Sequence, residues 1–281
     1  MKNLFLFCSL LFTCPIVFGQ GETIYTPEDK VVFEKYTEYI QEYRQQSLET
    51  VLEKTAEFFL GAPYVAHTLE VSDKEQLVIN LREFDCVTYI ETVIALAQTA
   101  KSNVLSFDAF ANELEYIRYW TAIENYASRL HYTSDWVWQN ELKGIVKNLS
   151  KALGGVKETK EIRFMSSHRS AYKQLKSDDS MVEKIKLIED DINSRQGFYY
   201  LPKNSITAKA SQIPHMAMIG FTTSIEGLDT THTGFAYKKN GKLTFIHASS
   251  AENKVVIDKK SLSDYCALQK SCTGVIIAEV Q

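Results

Sequence analysis

The arrangement of apolar residues changes near residue 197, and this change constrains the fold more than any other feature of the sequence. Upstream, apolar residues recur at helical spacing, as over 48–59, where they repeat at i, i+3, i+4, i+7, i+8 and i+11. Downstream, short runs rich in β-forming residues replace them. Helices followed by a mostly antiparallel sheet indicate the α+β class. Because no repeat or flexible linker interrupts the 281 residues, we expect one domain over 20–281.

Capping signals and periodicity place the individual elements. Thr26-Pro27, Asp85 and Ser106 each precede an apolar periodic stretch and are typical helix starts. The sequence predicts helices from Pro27 to about Tyr43, over 48–60, after Asp85, after Ser106, and near 135–150 and 179–193. It predicts strands over Phe198–Leu201, Met216–Thr223, His232–Lys238, Lys242–Ala248, Lys254–Ile257 and Thr273–Val280. The stretch of about 100–195 is then a largely helical insertion between two parts of a core.

The N-terminus has the pattern of a targeting segment. Lys2 is followed by an apolar run over 4–11, and Val17-Phe18-Gly19 resembles a signal peptidase site. We therefore expect residues 1–19 to be a signal peptide, cleaved near Gly19/Gln20, and the protein to be exported to the periplasm or secreted. The residues before Cys14 resemble a lipoprotein signal only faintly, because of the bulky Phe12 and the following proline.

Charge and the remaining apolar stretches exclude two classes of partner. The formal net charge is −4 and no block of basic residues stands out, which argues against sequence-independent nucleic-acid binding. No stretch of the mature chain is apolar enough to predict a membrane span. The sequence contains no HExxH, CxxC, P-loop or GxGxxG motif, so we expect no cofactor and no metal.

Three cysteines remain after removal of the signal segment. Cys266 and Cys272 are six positions apart, and we expect them to form a disulfide in an oxidising compartment. Cys86 is then the unpaired thiol, directly after the N-cap Asp85. An unpaired cysteine is often a packed core residue. At the start of a helix, however, the backbone N–H groups and the helix dipole favour a thiolate.

A predicted hairpin brings two histidines together. Asn240-Gly241 lies between two strand-like runs and predicts a two-residue turn, which pairs Lys239 with Lys242. In this register His232 and His247 lie on one face of the sheet as diagonal neighbours. A thiol and two imidazoles are the groups required for nucleophilic catalysis by a Cys–His pair with an orienting residue. The alternatives are a zinc site built from the same three side chains or a structural cysteine with hydrogen-bonded histidines.

The order of four short motifs resembles the NlpC-type papain-like cell-wall hydrolases. The motifs are Phe59-Leu60-Gly61-Ala62-Pro63-Tyr64, Phe84-Asp85-Cys86, His232-Thr233-Gly234-Phe235-Ala236-Tyr237 and Ile246-His247-Ala248-Ser249-Ser250. Further stretches resemble one branch more closely, the exported bacterial amidases described as N-acetylmuramoyl-L-alanine amidase-like; they are Leu77–Glu91, Ser128–Tyr132, Ser166–His168 and Glu226–Asp229. The resemblance covers roughly residues 45–280. Many relatives carry a Gly-rich turn where this chain has Ala66-His67.

The resemblance implies a fold, a reaction and residue roles. The expected fold is a papain-like core in which the nucleophile helix packs on an antiparallel sheet. Cys86 is expected to be the nucleophile, His232 the general base, His247 the orienting residue, and Tyr64 a support for the oxyanion. The expected reaction is cleavage of the amide between N-acetylmuramic acid and L-alanine in peptidoglycan fragments. The alternatives are an endopeptidase that cuts the D-glutamyl–diamino acid bond, or a non-catalytic peptidoglycan-binding module.

Five further polar residues are candidates for substrate binding. Arg129 could hold a substrate carboxylate beside His131, although His131 could equally be a hydrogen-bonded structural residue. Ser167 and His168 could contact substrate or simply form a polar turn. Asp229, three residues before the predicted base, could hold a substrate amine or shape the turn.

Overall fold

The computed structural model describes residues 23–281, so the predicted signal peptide, its cleavage position and Cys14 lie outside the described residues. The α-helices are α1 (Pro27–Ile40), α2 (Leu48–Phe58), α3 (Cys86–Lys101), α4 (Phe107–Arg118), α5 (Thr133–Leu142), α6 (Phe164–Ser167), α7 (Asp179–Ser194), α8 (Ile206–Lys209) and α9 (Leu262–Leu268). The strands are β1 (Val146–Asn148), β2 (Val156–Glu158), β3 (Phe198–Pro202), β4 (Met218–Thr223), β5 (Thr230–Lys239), β6 (Lys242–Ser249), β7 (Lys254–Ile257) and β8 (Cys272–Val280).

The strands form one antiparallel sheet. Its order is β2-β3-β8-β4-β5-β6-β7, and β1 also pairs with β8. The long C-terminal strand β8 contacts β1, β3 and β4 and so joins the middle of the chain to the end. Helices come first and the sheet second, which confirms the predicted α+β class.

Apolar side chains cover both faces of the sheet. The first core lies between one face and helices α1–α4, and it includes Met218, Phe235 and Ile246. The second core covers the opposite face with α8 and α9, and it includes Phe221 and Phe245. The alternation of these residues along the strands follows from the period of two in side-chain direction. A third apolar cluster joins α6 and α7 within the region predicted to be an insertion.

The predicted helix near 135–150 is too long. The helix α5 ends at Leu142, and Gly144 follows with a φ of +75°, a conformation that terminates helices and favours glycine. Residues Val146–Asn148 then pair with the end of β8 as strand β1. Short strands of three residues carry too little alternation to be recognised in sequence, which explains why β1 and β2 are absent from the sequence-based prediction.

The hairpin between β5 and β6 has the predicted turn. Asn240 and Gly241 have φ values of +52° and +75°, as a type I′ turn requires. Lys239 pairs with Lys242, which confirms the predicted register. This pairing continues to Phe235 and Ile246, so the histidines lie just beyond the last paired residues, at the end of the hairpin opposite the turn.

Between residues 23 and 281, no helix combines the length and apolar character needed to cross a bilayer.

Candidate active site

Cys86 is the first residue of α3, where the predicted cap holds it. The Asp85 carboxylate accepts hydrogen bonds from the backbone N–H groups of Val87 at 3.0 Å and Thr88 at 2.8 Å. Thr88 returns the contact by accepting from the Asp85 N–H through its hydroxyl, which completes a capping box. The cap occupies the N–H groups of Val87 and Thr88 in the first turn but not that of Cys86.

The sheet meets this helix end at Thr233, the residue that follows His232. Its hydroxyl donates to the backbone oxygen of Cys86 at 2.8 Å, across a sequence separation of 147 residues. The Cys86 side chain is half-buried at this contact. Tyr64 and Tyr265 lie close enough for the thiol to influence the pKa of each phenol. The structure thus brings Cys86 to the strand that carries the first histidine.

The two histidines form a hydrogen-bonded pair. His232 Nε2 and His247 Nδ1 are 2.6 Å apart, and the rings are nearly perpendicular. Phe221 stacks on His232, and Phe245 lies against His247 at a centroid distance of 4.2 Å. Gly234 permits this approach, since a Cβ there would lie 3.0 Å from the Cβ of His247. The predicted shared face of the two histidines is therefore confirmed, although their catalytic roles stay predictions.

Burial keeps the candidate base and nucleophile neutral. Burial, together with the neighbouring His247, lowers the pKa of His232 to about 3. Burial and then the Asp85 carboxylate raise the pKa of the Cys86 thiol to about 11, against the opposing effect of the nearby Thr233. Burial and the negative charge of Asp85 both oppose the thiolate that the helix N-terminus alone would favour. A resting site of this kind holds a thiol and an uncharged imidazole.

Two residues at the site were missed by the sequence analysis. Asp258 directly follows β7, and its Oδ2 lies 3.6 Å from His247 Nε2. Tyr265 on α9 lies against Phe245 and His232 with ring centroids 4.6 and 6.2 Å away. The sequence carries a weak signal for Asp258, a polar residue at the end of a predicted strand. It carries none for Tyr265, since the position of α9 relative to the sheet depends on tertiary packing.

The histidine geometry argues against the zinc alternative. Two imidazole nitrogens bound to one tetrahedral zinc ion lie about 3.3 Å apart, because each Zn–N bond is about 2.0–2.1 Å long. The 2.6 Å between His232 Nε2 and His247 Nδ1 is instead a hydrogen-bond distance. Over residues 23–281, no three His, Cys, Asp or Glu side chains are grouped to hold a metal ion.

A groove of about 580 Å³ runs beside the first turns of α3. Its walls include Thr88 and Glu91 from α3, the segment of residues 171–174, and Arg129 with His131. His67 also lines it with a φ of +63°, a conformation that favours glycine. The groove is lined by Asp85 and Val87, the two neighbours of Cys86 in sequence, and is the candidate substrate site.

Arg129 lines the groove but is not a free cation. Its guanidinium donates to both carboxylate oxygens of Glu75, at 3.0 and 2.8 Å, and to Glu70 at 3.1 Å. These pairs argue against Arg129 as a direct ligand of a substrate carboxylate. His131 contacts the Tyr126 carbonyl at 2.7 Å, and burial lowers its pKa to about 3. It therefore presents a neutral, hydrogen-bonded ring to the groove.

Asp229 is buried and holds backbone together. Its Oδ2 accepts from the Ser134 N–H at 2.6 Å, and its Oδ1 accepts from the Thr230 N–H at 2.7 Å. It thereby joins the first turn of α5 to the start of β5. Because both oxygens are occupied by backbone donors, this geometry favours the turn-shaping role over binding of a substrate amine.

Ser167 and His168 lie at the exposed end of α6. The Ser167 hydroxyl donates to the Arg163 carbonyl at 2.6 Å and contacts His168 Nδ1 at 3.1 Å. The His168 ring stacks on Phe164. All of these contacts are local, as in the polar turn that the sequence analysis considered as the alternative to substrate binding.

The two remaining cysteines are bonded to each other. Cys266 on α9 and Cys272 at the start of β8 form a disulfide, and Cys86 is the free cysteine among the described residues. The disulfide anchors α9, and therefore Tyr265, to the edge of the second core.

Comparison with known proteins assigns the family. Residues 54–274 match the family model described as AmiA-like, N-acetylmuramoyl-L-alanine amidase-like. The match spans most of the chain, and the chain belongs to this family. No curated protein matches the chain.

Solved structures agree with this assignment. An N-acetylmuramoyl-L-alanine amidase from Bacteroides uniformis is 34% identical, with 83% of this chain and 99% of that chain covered and a TM-score of 0.76. A Bacteroides fragilis protein for which a xylanase activity has been suggested is 35% identical, with 80% and 99% covered and a TM-score of 0.76. A Legionella pneumophila protein at 22% identity and a TM-score of 0.67, with 90% and 96% covered, shares the fold.

Proposed function

We propose that this protein is a cysteine-dependent amidase that cleaves the bond between N-acetylmuramic acid and L-alanine in peptidoglycan fragments. The observation that carries the proposal is the hydrogen bond from Thr233, the residue after His232, to the backbone oxygen of Cys86 at the N-terminus of α3, together with the hydrogen-bonded pair of His232 and His247. Its support from the comparisons is the 34% identity to the Bacteroides uniformis amidase over nearly all of that chain. The core is proposed to be of the NlpC-type papain-like kind.

The proposed reaction begins with two neutral groups. Cys86 attacks the lactyl carbonyl carbon while its S–H proton passes to His232 Nδ1, the ring nitrogen not engaged with His247. The low pKa of His232 keeps its ring uncharged in the resting enzyme, so that one ring nitrogen has a free lone pair. His247 orients the His232 ring and shares the positive charge that forms during attack.

The developing oxyanion needs hydrogen-bond donors. The Cys86 backbone N–H is not taken by the Asp85 cap, and the Tyr64 hydroxyl is held near the thiol. Burial raises the pKa of Tyr64, so its hydroxyl remains a donor at neutral pH. Collapse of the tetrahedral intermediate breaks the C–N bond, and the imidazolium returns its proton to the leaving L-alanine nitrogen. Water then hydrolyses the thioester and regenerates the thiol.

The substrate and its location are consistent with the predicted signal segment. Peptidoglycan lies outside the cytoplasmic membrane, where a protein with residues 1–19 removed would be delivered. The groove of about 580 Å³ beside α3 is large enough for several sugar or amino-acid units and carries both charges and aromatic rings.

Digestion of a disaccharide-peptide of known structure tests the proposal, because its products show which bond was cut. We expect mass spectrometry of the products to show a free disaccharide and a peptide with an L-alanine amino terminus. An endopeptidase would instead release a disaccharide that still carries a dipeptide. A binding module would give no products while retaining the ligand, and either result would overturn the proposed reaction.

Two variants at one position test the nucleophile. Cys86→Ala removes the sulfur, and Cys86→Ser keeps a side chain of nearly the same size. Both should abolish hydrolysis, while circular dichroism shows an intact fold. A chelator should leave the wild-type enzyme active. Loss of activity with a chelator and recovery with zinc would contradict the cysteine mechanism.

A further inference from the structure

One buried nitrogen at the site has no hydrogen-bond partner in the structure. His247 is 1% exposed, and its Nε2 makes no hydrogen bond, while Nδ1 contacts His232. Asp258 Oδ2 lies 3.6 Å from this nitrogen. The other oxygen of Asp258 accepts the Lys260 N–H at 2.7 Å, which fixes the carboxylate with Oδ2 facing the ring.

The position of this carboxylate determines which ring nitrogen of His247 is protonated. A lone pair on Nε2 would face the negative Oδ2, whereas an N–H bond there points its positive end at the carboxylate. A carboxylate beside one ring nitrogen is the usual device for choosing a histidine tautomer. The separation shortens to a hydrogen bond with a movement of about 0.6 Å, and catalytic contacts are often long before substrate binds.

The tautomer of His247 in turn determines the tautomer of His232. If His247 carries its proton on Nε2, its Nδ1 is an acceptor and must receive the proton of His232 Nε2 in their 2.6 Å hydrogen bond. Neutral His232 then has a free lone pair on Nδ1. We infer that Asp258 is a positioning residue that fixes the tautomers of both histidines and so leaves His232 Nδ1 as the base for Cys86.

Asp258 shares a pocket of about 140 Å³ with other polar groups that also face His247. Lys260 opposes protonation of His247, and burial lowers the pKa of that ring to about 4. Tyr265 and Ser249 are uncharged at neutral pH, and Glu252 lies exposed at the rim. Asp258 Oδ2 lies 3.6 Å from Nε2, and the carboxylate also favours the charged form of His232, which it would stabilise during attack.

The tautomers can be measured without any turnover. Long-range ¹H–¹⁵N spectra of histidine-labelled protein at pH 7 report which nitrogen of each ring is protonated, and single His variants assign the signals. We expect Nε2–H for both His232 and His247 in the wild-type protein. Asp258→Ala should convert His247 to a mixture of tautomers, while the matched control Glu252→Ala leaves both rings unchanged. Nδ1–H on His247 in the wild-type protein, or no change in Asp258→Ala, would overturn the inference.

Measurement of turnover is a second test of the inference, and this test rests on the proposed amidase function. Asp258→Ala should reduce kcat about 10- to 100-fold with little change in KM, less than the about 10²- to 10⁴-fold contribution of a positioned acid–base group. Asp258→Asn, which keeps the contact to the Lys260 N–H, checks that folding is intact. In a His247→Asn background, Asp258→Ala should cost nothing more, because the shorter side chain has no Nε2 to orient. Equal losses in both backgrounds would mean a structural role. If no variant or wild type has activity, the function fails while the spectra still decide the tautomers.

Discussion

The resting protonation state of Cys86 predicts how fast the thiol reacts with an alkylating agent as pH changes. A thiolate–imidazolium pair alkylates rapidly from mildly acidic pH upward, because the thiolate is already formed. The structure has instead a thiol whose pKa burial and Asp85 raise to about 11. We therefore expect the alkylation rate to rise about tenfold for each pH unit between 6 and 10.

The magnitude at neutral pH follows from two opposing effects. With a pKa of about 11, about one Cys86 thiol in 10,000 is ionised at pH 7, against about one in 30 for an ordinary thiol with a pKa of about 8.5. The thiolate population is thus about 300-fold smaller. A more basic thiolate is a stronger nucleophile, which recovers a factor of about 10 to 20. The net expectation is alkylation about 20-fold slower than that of an unstructured cysteine peptide.

The assay uses iodoacetamide and intact-mass detection. Protein produced from Gln20 onward lacks Cys8 and Cys14, and the disulfide protects Cys266 and Cys272, so that one label per chain reports Cys86. Cys86→Ala is the matched control and should remain unlabelled. Removal of the neighbouring charge in Asp85→Asn should lower the pKa of the thiol and speed alkylation at pH 7, since Asn can still cap the helix.

A rate that is already high at pH 5.5 and flat up to pH 9 would refute this reasoning. That profile would show a preformed ion pair with His232 and would restore the thiolate expected from the helix N-terminus alone. Unchanged kinetics in Asp85→Asn would show that burial rather than the Asp85 charge controls the thiol.

Two further predictions concern the histidines and the support of α3. His232→Ala should reduce turnover of a muropeptide to background, whereas His247→Asn should retain measurable activity, because a polar side chain can still accept from His232; the opposite ranking would reverse the two roles. Arg118→Met should lower the free energy of unfolding by about 3–5 kcal/mol in a urea titration, because it leaves the Glu91 carboxylate, 2.7 Å away and 1% exposed, without its counterion. The pair Glu91→Leu with Arg118→Met should recover most of that loss, and a single variant as stable as wild type would show that the ion pair contributes little.

Local sequence signals were sufficient to predict the helix start and the hairpin turn that position the site. Asp85 caps α3 as its identity predicts, and Asn240-Gly241 sets the turn from which the histidine register follows. In both cases the decisive interactions lie within a few residues along the chain. The same reasoning failed beyond Leu142, where a three-residue strand is defined by its partner β8 rather than by its own sequence.

The protonation states and charge contacts of the site residues could not be predicted from such local sequence rules. Asp85 was correctly identified as a cap, but its effect on the thiol depends on the burial of Cys86 beneath Thr233, 147 residues away. Asp258 faces His247 only because β7 pairs with β6 so that His247 lies opposite Val256. The sequence around Arg129 does not reveal that its guanidinium forms ion pairs with Glu70 and Glu75. Each of these facts depends on which side chains the fold brings together, and hydrophobic periodicity does not report that.

A neutral Cys86 thiol is also consistent with the presence of a disulfide in the same protein. Disulfides such as Cys266–Cys272 form and persist mainly in oxidising compartments, where a free thiolate is the form that oxidises and exchanges with disulfides. Cys86, half-buried and with its pKa raised to about 11, is protected from both reactions while no substrate is bound. In the proposed mechanism the thiolate forms only as the carbonyl is attacked, so the base must have its lone pair free beforehand. That requirement connects the high pKa of the thiol with the low pKa of His232 and with the carboxylate of Asp258 behind the histidine pair.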